Sequence, residues 1–402
     1  LEGAGDRGSG VAGDNSVGEH GRHRPHGIVT TVVLIVALVL VMTPGSAAAD
    51  TGSCVDSGDF EVCFNDPMGP TTPENAIINR LRALVGEAQA GDQIRLAMYS
   101  WTLTGLAETL AGAKENGADV QVVVDDRAAG KTPIAILEQA GIPVTVCDVS
   151  CTSHQNRSIQ HNRFYLLDIG GVRKVAITSS NMTRTQETDR YNDLLIVDDD
   201  AQLYDFYADY WDRLNAQSWT FAGDTWTEAD RERAGRATRA YAFERDDSDV
   251  VASILNRVTA CRSGDAKIWL SLSKFTAGRA AIQQRLEQLE NLGCNVKIII
   301  QRAVDEGFVQ KGTSWNLKDP QTYLTRSKVR QMPGSIVDVH HKLMLVDAEY
   351  EGRFQEVVFT GSHNFTGPGL RKNDENWVRV EDGFVFSQYR AHFDVLYGRS
   401  TD

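Results

Sequence analysis

Two similar α/β halves, packed about a pseudo-twofold axis with mixed central sheets flanked by helices, are the architecture this sequence predicts. Three observations carry the prediction. Apolar strand-like runs alternate with amphipathic helical runs from residue 93 onward. The second half repeats the landmarks of the first: Ile94 recurs as Ile268, Val120 as Val296, His161 as His340, Asn181 as Asn364 and "YADYWDRL" (207–214) as "YRAHFDVL" (389–396), all at offsets of 174 to 183 residues. Finally, two strands, "IQHNRFYLLD" (159–168) and "VDVHHKLMLVD" (337–347), open with an imidazole and a cation ahead of an apolar run. Burying such groups is costly, so their recurrence points to use.

Taken in order, residues 1–49 stand apart. "GRHRPHG" precedes the apolar run "IVTTVVLIVALVLVM" and then "TPGSAAAD". A positive flank, an apolar stretch too short for a spanning helix and small exit residues form the pattern of a secretory leader, cleaved after Ala49. Export then gives the six cysteines a meaning as disulfides: of the 15 possible connectivities, local spacing favours Cys54–Cys63 and Cys147–Cys151, and Cys261 and Cys294 flank a strand–helix unit that a third bond could close.

The first half is assigned to 50–235. "QIRLAMYSW" (93–101) reads as a strand and "LTGLAETLAGAKENG" (103–117) as a helix that stops at glycine. "ADVQVVVDD" (118–126) has the near-continuous apolar run of a buried parallel strand. The second half, 236–402, repeats the order with a strand at 266–275, a helix at 279–293 and a strand at 294–301. The join falls in the charge-dense, helix-like stretch 222–248. Hydrophobic content of 42% and charged content of 24% suit a soluble globular chain, and a net charge of −13 weighs against a protein built to grip long nucleic acid.

On a strand, side chains alternate between faces. His340, Lys342, Met344 and Val346 therefore share one face, with His341, Leu343 and Leu345 on the other. His161 and Arg163 share a face in the first half. Downstream, "TSSNMT" and "TGSHNFT" supply Ser179, Asn181, Ser362 and Asn364, hydroxyl and amide donors suited to phosphate oxygens. Two imidazoles, two cations and four neutral donors fit a phosphodiester. One histidine attacks phosphorus and the other serves as acid and then base, with no metal or cofactor required.

"HHKLMLVD" with "GSHN" resembles the HxKxxxxD and GSxN signature of the phospholipase D superfamily, and the duplicated layout is similar over essentially the whole mature chain. The resemblance implies the duplicated fold, a phosphohistidine intermediate and metal independence. It also implies that Glu375, in "NDEN", orients a catalytic histidine; the matching position in the first half is Asn192. The first half departs from the signature at Arg163 and Thr178. With a carboxylate behind it, His340 is expected to be the nucleophile and His161 the general acid. Asp168 and Asp347 are expected as buried orienting groups, His341 as structural or at the rim, and His363 as a residue within reach of substrate. His154 and His392 carry no signal.

The expected function is a secreted, monomeric phosphodiesterase that removes phospholipid headgroups, by hydrolysis or by transfer to an alcohol, with no obligate protein partner. The segment 302–338, with Phe308, Trp315 and Tyr323 among basic residues, is the expected substrate loop. The alternatives are an extracellular metal-independent endonuclease, to which "AMYSWT" bears a likeness, and a non-catalytic binding protein with a decayed first half.

Overall fold

A computed structural model describes residues 54–401 apart from 70–75, 154, 218–219, 222–223, 226, 228, 247, 262–265, 302–327 and 333–336. The leader-like segment 1–49, His154 and the aromatic residues of the expected substrate loop lie outside the described residues.

The strands of the first half are β1 (Cys54–Asp56), β2 (Phe60–Phe64), β3 (Gln93–Met98), β4 (Asp119–Asp125), β5 (Val144–Cys147), β6 (Arg163–Ile169), β7 (Val172–Thr178), β8 (Arg190–Tyr191) and β9 (Asp193–Asp198). Its helices are α1 (Ala76–Gly86), α2 (Thr104–Glu115), α3 (Thr132–Gln139), α4 (Arg184–Thr188) and α5 (Ala201–Ala216). After two short strands, β10 (Thr220–Phe221) and β11 (Asp224–Thr225), the second half begins with β12 (Glu232–Ala234), just ahead of the expected boundary at 236, and β13 (Thr238–Phe243). It continues through α6 (Val250–Asn256), β14 (Val258–Ala260), β15 (Lys267–Leu272), α7 (Ala280–Asn291), β16 (Asn295–Ile300) and β17 (Lys328–Arg330). The remaining elements are β18 (Asp338–Val339), β19 (Lys342–Tyr350), β20 (Arg353–Gly361), α8 (Gly367–Arg371), β21 (Glu375–Val380) and α9 (Gly383–Arg399).

The two sheets have one topology. The first runs β1-β2-β9-β7-β6-β3-β4-β5 and the second β12-β13-β21-β20-β19-β15-β16-β17, with β14 added beside β19. In each, the central strand that follows the histidine (β6 or β19) lies antiparallel to β3 or β15, which in turn pairs in parallel with β4 or β16. The helix-like stretch before residue 248 is instead the β12–β13 hairpin, in which Ala240 and Ala242 enter one core and Tyr241 and Phe243 another. Alternate residues of β13 enter opposite cores, and that alternation decides its form over the charge density around it.

Helices α5 and α9 fill the space between the sheets. Tyr207, Tyr210 and Trp211 of α5 and Tyr389 and Phe393 of α9 share one core with Phe164 and Leu166 of β6 and Leu343 and Leu345 of β19. Met344 and Val346 face the outer core under α6 and α7, as their parity predicts, while Tyr165 and Leu167 face that under α1, α2 and α3. Both central helices are capped by an aspartate: Asp200 accepts from Leu203 N and Asp382 from Val385 N. Disulfides join Cys54 to Cys63 and Cys147 to Cys151, the pairings that spacing favours, and Cys261 to Cys294 across the strand–helix unit.

Candidate active site

The halves meet where their histidines enter the sheets, and each histidine hangs on the backbone of the opposite half. β18 pairs in parallel with β8, and His340 N donates to Tyr191 O at 2.9 Å. The counterpart is a bridge between Gln160 and Asp374, with His161 N donating to Asp374 O at 2.9 Å. This reciprocity is the pseudo-twofold relation at atomic scale. It sets the two imidazoles close enough for each cation to act on both: Arg163 and Lys342 depress the basicity of His161 and of His340 alike.

The groups behind the imidazoles are exchanged in the same way, which overturns one expectation. Glu375 does not back His340; its Oε2 lies 2.7 Å from Nδ1 of His161. His340 Nδ1 is 3.0 Å from the carbonyl of Ser179 and 3.1 Å from Asn192 Oδ1. The physical cause is the crossing itself, because Glu375 at the start of β21 and Asn192 just before β9 each face the other half's histidine.

Arg163 accounts for much of the first half's geometry. Its Nη2 donates to His161 Nε2 at 2.8 Å, its Nη1 to His161 O at 3.2 Å and its Nε to Asn181 Oδ1 at 2.6 Å. Because Nε2 accepts from a guanidinium, the imidazole proton resides on Nδ1 and points at Glu375. Burial pushes Glu375 up to about 8, while hydrogen bonds from Ser362 and Asn373 and the Arg163 charge favour its ionised form. Lys342 is simpler: its Nζ donates to His340 O at 2.7 Å and lies 3.4 Å from His340 Nε2.

Electrostatics keep both imidazoles neutral. Burial, and then the charge of Arg163, holds His161 well below the usual imidazole range; burial and then Lys342 do the same to His340. Burial pushes Arg163 itself down to about 10 and Lys342 well below its ordinary value. Tyr99 presses its ring against His161, with centroids 4.7 Å apart, and is flanked by the guanidinium groups of Arg163 and Arg127 at 5.4 and 5.2 Å.

Four further expectations change. Asp168 near the far end of β6 and Asp347 in the second half of β19 pair instead with Arg173 at 3.5 Å and Lys267 at 3.1 Å. Seven residues of strand separate each from its histidine, roughly 20 Å, too far to orient it. Ser179 and Ser362 are not phosphate donors: Ser362 Oγ donates to Glu375 Oε2 at 2.7 Å and Ser179 Oγ to Asn192 Oδ1 at 3.1 Å. Asn181 holds Arg163, and Asn364 occupies the matching place with its Oδ1 buried and unpartnered. His363 is fully buried, stacked on Phe243 at 3.7 Å with Arg279 Nη1 3.1 Å from its Nε2, and so is out of reach of substrate. His392 is a core residue, stacked on Phe64 at 4.0 Å and set edge-on to His341 at 5.1 Å; Ser271 Oγ lies 3.1 Å from His341 Nδ1.

The departure at Thr178 has a local explanation. Gly361 has a φ of +149°, and a Cβ there would lie 2.6 Å from Asn376 O. In the first half the same carbonyl belongs to Asp193, and Thr178 Oγ1 donates to it at 2.6 Å. Residues that reading by motif misses are Tyr99, Arg127 and Lys274. Lys274 follows the end of β15 beside β19, where Ser273 N donates to His341 O at 2.7 Å, and its charge reaches both His161 and Lys342. The repeat carries the signal, since "YSWT" (99–102) aligns with "SKFT" (273–276) at the strand ends that flank the motif.

A duplicated α/β fold thus brings together two crossed imidazole–cation pairs, one from an HxR and one from an HxK motif. The model of the cardiolipin synthase, phospholipase D-like domain family matches residues 81–215 and again 258–397, more than half of the chain. The chain belongs to the phospholipase D superfamily. Among solved structures it is similar to phosphatidylserine synthase of Haemophilus influenzae Rd KW20 at 14% identity and a TM-score of 0.61, with 87% of this chain and 88% of that one covered. It is also similar to polyphosphate kinase from Porphyromonas gingivalis at 12% identity and a TM-score of 0.58, covering 84% of this chain but only 47% of that one. At such identities the likeness is one of fold. No curated protein sequence matches the chain.

Proposed function

We propose that the protein is a secreted phospholipase D-type phosphodiesterase acting on phospholipid headgroups, with His161 as nucleophile and His340 as general acid. The observation that carries the role assignment is the 2.7 Å contact between His161 Nδ1 and Glu375 Oε2. A carboxylate behind an imidazole raises its nucleophilicity and stabilises the positive charge that forms on attack. His340 has only neutral acceptors behind it.

A bound phosphate takes the Arg163 and Lys342 donors onto its non-bridging oxygens and frees His161 Nε2. The Nε2 lone pair attacks phosphorus, and the bond from phosphorus to the leaving oxygen breaks as that oxygen takes the proton from His340 Nε2. His340, now neutral, removes a proton from water or an alcohol, whose oxygen attacks the phosphohistidine. The P–N bond breaks and His161 is regenerated. Substrate monoanion between the cations offsets the charge that depresses His340, so its proton is available when needed.

The family match supports the chemistry, and the net charge of −13 favours a lipid surface over polynucleotide as the substrate class. The leader-like run and the three disulfides support secretion. Incubation with phosphatidylcholine vesicles and ethanol in the presence of a chelator tests the reading. Formation of phosphatidylethanol and free choline is the expected result. Degradation of DNA with the lipid untouched would transfer the same chemistry to a nuclease, and no turnover of any diester would leave a binding protein.

A further inference from the structure

We propose that Asp374, together with the disulfide-closed turn it grips, is a positioning residue for the His161–Glu375 pair; the inference rests on the role given to that pair above. Asp374 is fully buried and immediately precedes Glu375. Its carboxylate is turned onto the opposite half: Oδ2 accepts from Cys151 N and Oδ1 from Thr152 Oγ1. Its backbone holds the same segment further along, as Asp374 N donates to Ile159 O at 3.0 Å and His161 N donates to Asp374 O at 2.9 Å. One residue is thus joined at four points to the stretch 151–161 that delivers the nucleophile.

The far side of that stretch is equally fixed. Cys147 ends β5, so the Cys147–Cys151 bond ties the turn to the sheet of the first half. Gln160 N donates to the buried Asp125 Oδ2 at 3.0 Å, and Ser153 Oγ donates to Lys372 O at 3.0 Å. The path from sheet to site is short: β5, the disulfide, Cys151 N, the Asp374 carboxylate, then Glu375 on one side and His161 on the other. A buried carboxylate is costly unless its oxygens are satisfied. Here both are spent on the loop of the nucleophile, where a displacement on the order of 1 Å would cost about 100-fold in rate.

The second half offers a contrast that fits the role. His340 hangs on Tyr191 O, and the residue after Tyr191 is Asn192, so the backbone arrangement is the same. The place of Asp374 is taken by Tyr191, whose hydroxyl accepts from Arg399 Nη1 at 2.9 Å and so grips no disulfide turn. The clasp belongs to the half-site with the carboxylate-backed imidazole.

The test uses the whole protein. Asp374→Asn replaces one acceptor by a donor facing Cys151 N or Thr152 Oγ1. The expected result is a fall in kcat of about tenfold with KM unchanged, the scale of losses when an orienting partner is removed. In a Glu375→Gln background the same substitution is expected to cost nothing further, because it acts through that pair. The double variant Cys147→Ala/Cys151→Ala, which leaves the carboxylate in place, is expected to give the same kcat-only loss and carries the test should Asp374→Asn fail to fold. A readout independent of turnover is the downfield NMR resonance of the His161 Nδ1 proton, expected in the wild type and broadened or lost in either variant. An unchanged resonance, or losses that multiply in the Glu375→Gln background, would overturn the proposal. A resonance that responds in a protein that turns over no diester would instead sink the phosphodiesterase reading and leave the clasp standing.

Discussion

At the scale of single residues, the site is decided by what stands behind each imidazole. Glu375→Gln keeps the contact to His161 Nδ1 but deprives the charge that forms on the imidazole of its counter-charge, so kcat is expected to fall by about 100-fold or more with little change in KM, read by steady-state kinetics on a soluble diester. Arg163 is held by its fork rather than by charge alone, binding Asn181, His161 O and His161 Nε2 at once. Arg163→Lys therefore restores little activity. Arg163→Gln removes a cation that depresses both imidazoles, so the pH–rate profile is expected to move to higher pH. An unmoved profile would show that Arg163 does not face the reacting histidines.

The residue scale also shows what the chain discloses before it is folded. Strand parity separates His340 and Lys342 from His341 correctly, because alternation is a local rule that the sheet obeys. The same rule fails for Ser179 and Ser362, since parity gives a face and not a partner. Glu375 is found by motif but credited to the wrong histidine. Its true partner lies 214 residues away in the other half, and proximity along the chain carries no information about a contact made by crossing.

At the scale of elements, two strand ends carry the chemistry and two hairpin connections carry the differences between halves. Gly361 terminates β20 where a side chain would strike Asn376 O. Gly361→Ala is expected to cost about 1–3 kcal/mol of stability, measured as a lowered midpoint in urea. Thr178→Val removes a buried hydrogen bond to the equivalent carbonyl and is expected to cost about 1 kcal/mol or somewhat more. If Gly361→Ala were neutral, the close approach at the GSxN turn would be wrong. The strands and helices of both repeats were legible to within a few residues because each is a strongly periodic run. The β12–β13 hairpin was not, because the charged residues of β12 and the paired Arg239 interrupt the apolar run of β13.

At the scale of the whole molecule, the two halves share one central core, and their buried titrating groups set how stability follows pH. Burial holds His161, His340, His341, His363 and His392 below the usual imidazole range. Below about pH 6.5 the unfolded chain takes up protons that the folded chain refuses, so this contribution is lost as pH falls. Burial pushes Asp125 up to about 7 and Glu244 and Glu375 up to about 8. These folded carboxyls hold protons that the unfolded chain has released, so their contribution is lost as pH rises toward 8. Five imidazoles outweigh three carboxyls on the acid side, and on the alkaline side the three carboxyls outweigh Lys342, whose lowered value acts in the opposite sense. Stability is therefore expected to peak near pH 6.5, read as the urea midpoint across pH 5 to 8; a midpoint that climbs steadily to pH 8 would contradict this balance.

The central claim is that the crossed contact makes His161 the nucleophile. The most direct measurement is acid-free rapid quench of the His340→Ala variant with a p-nitrophenyl phosphodiester, whose leaving group departs without a general acid, followed by proteolysis and mass spectrometry of the histidine-bearing peptides. The account predicts a phosphoryl adduct on His161 that accumulates because no base remains to activate water. Its absence from His161 in this variant, with an adduct on His340 trapped by the reciprocal His161→Ala variant, would contradict it.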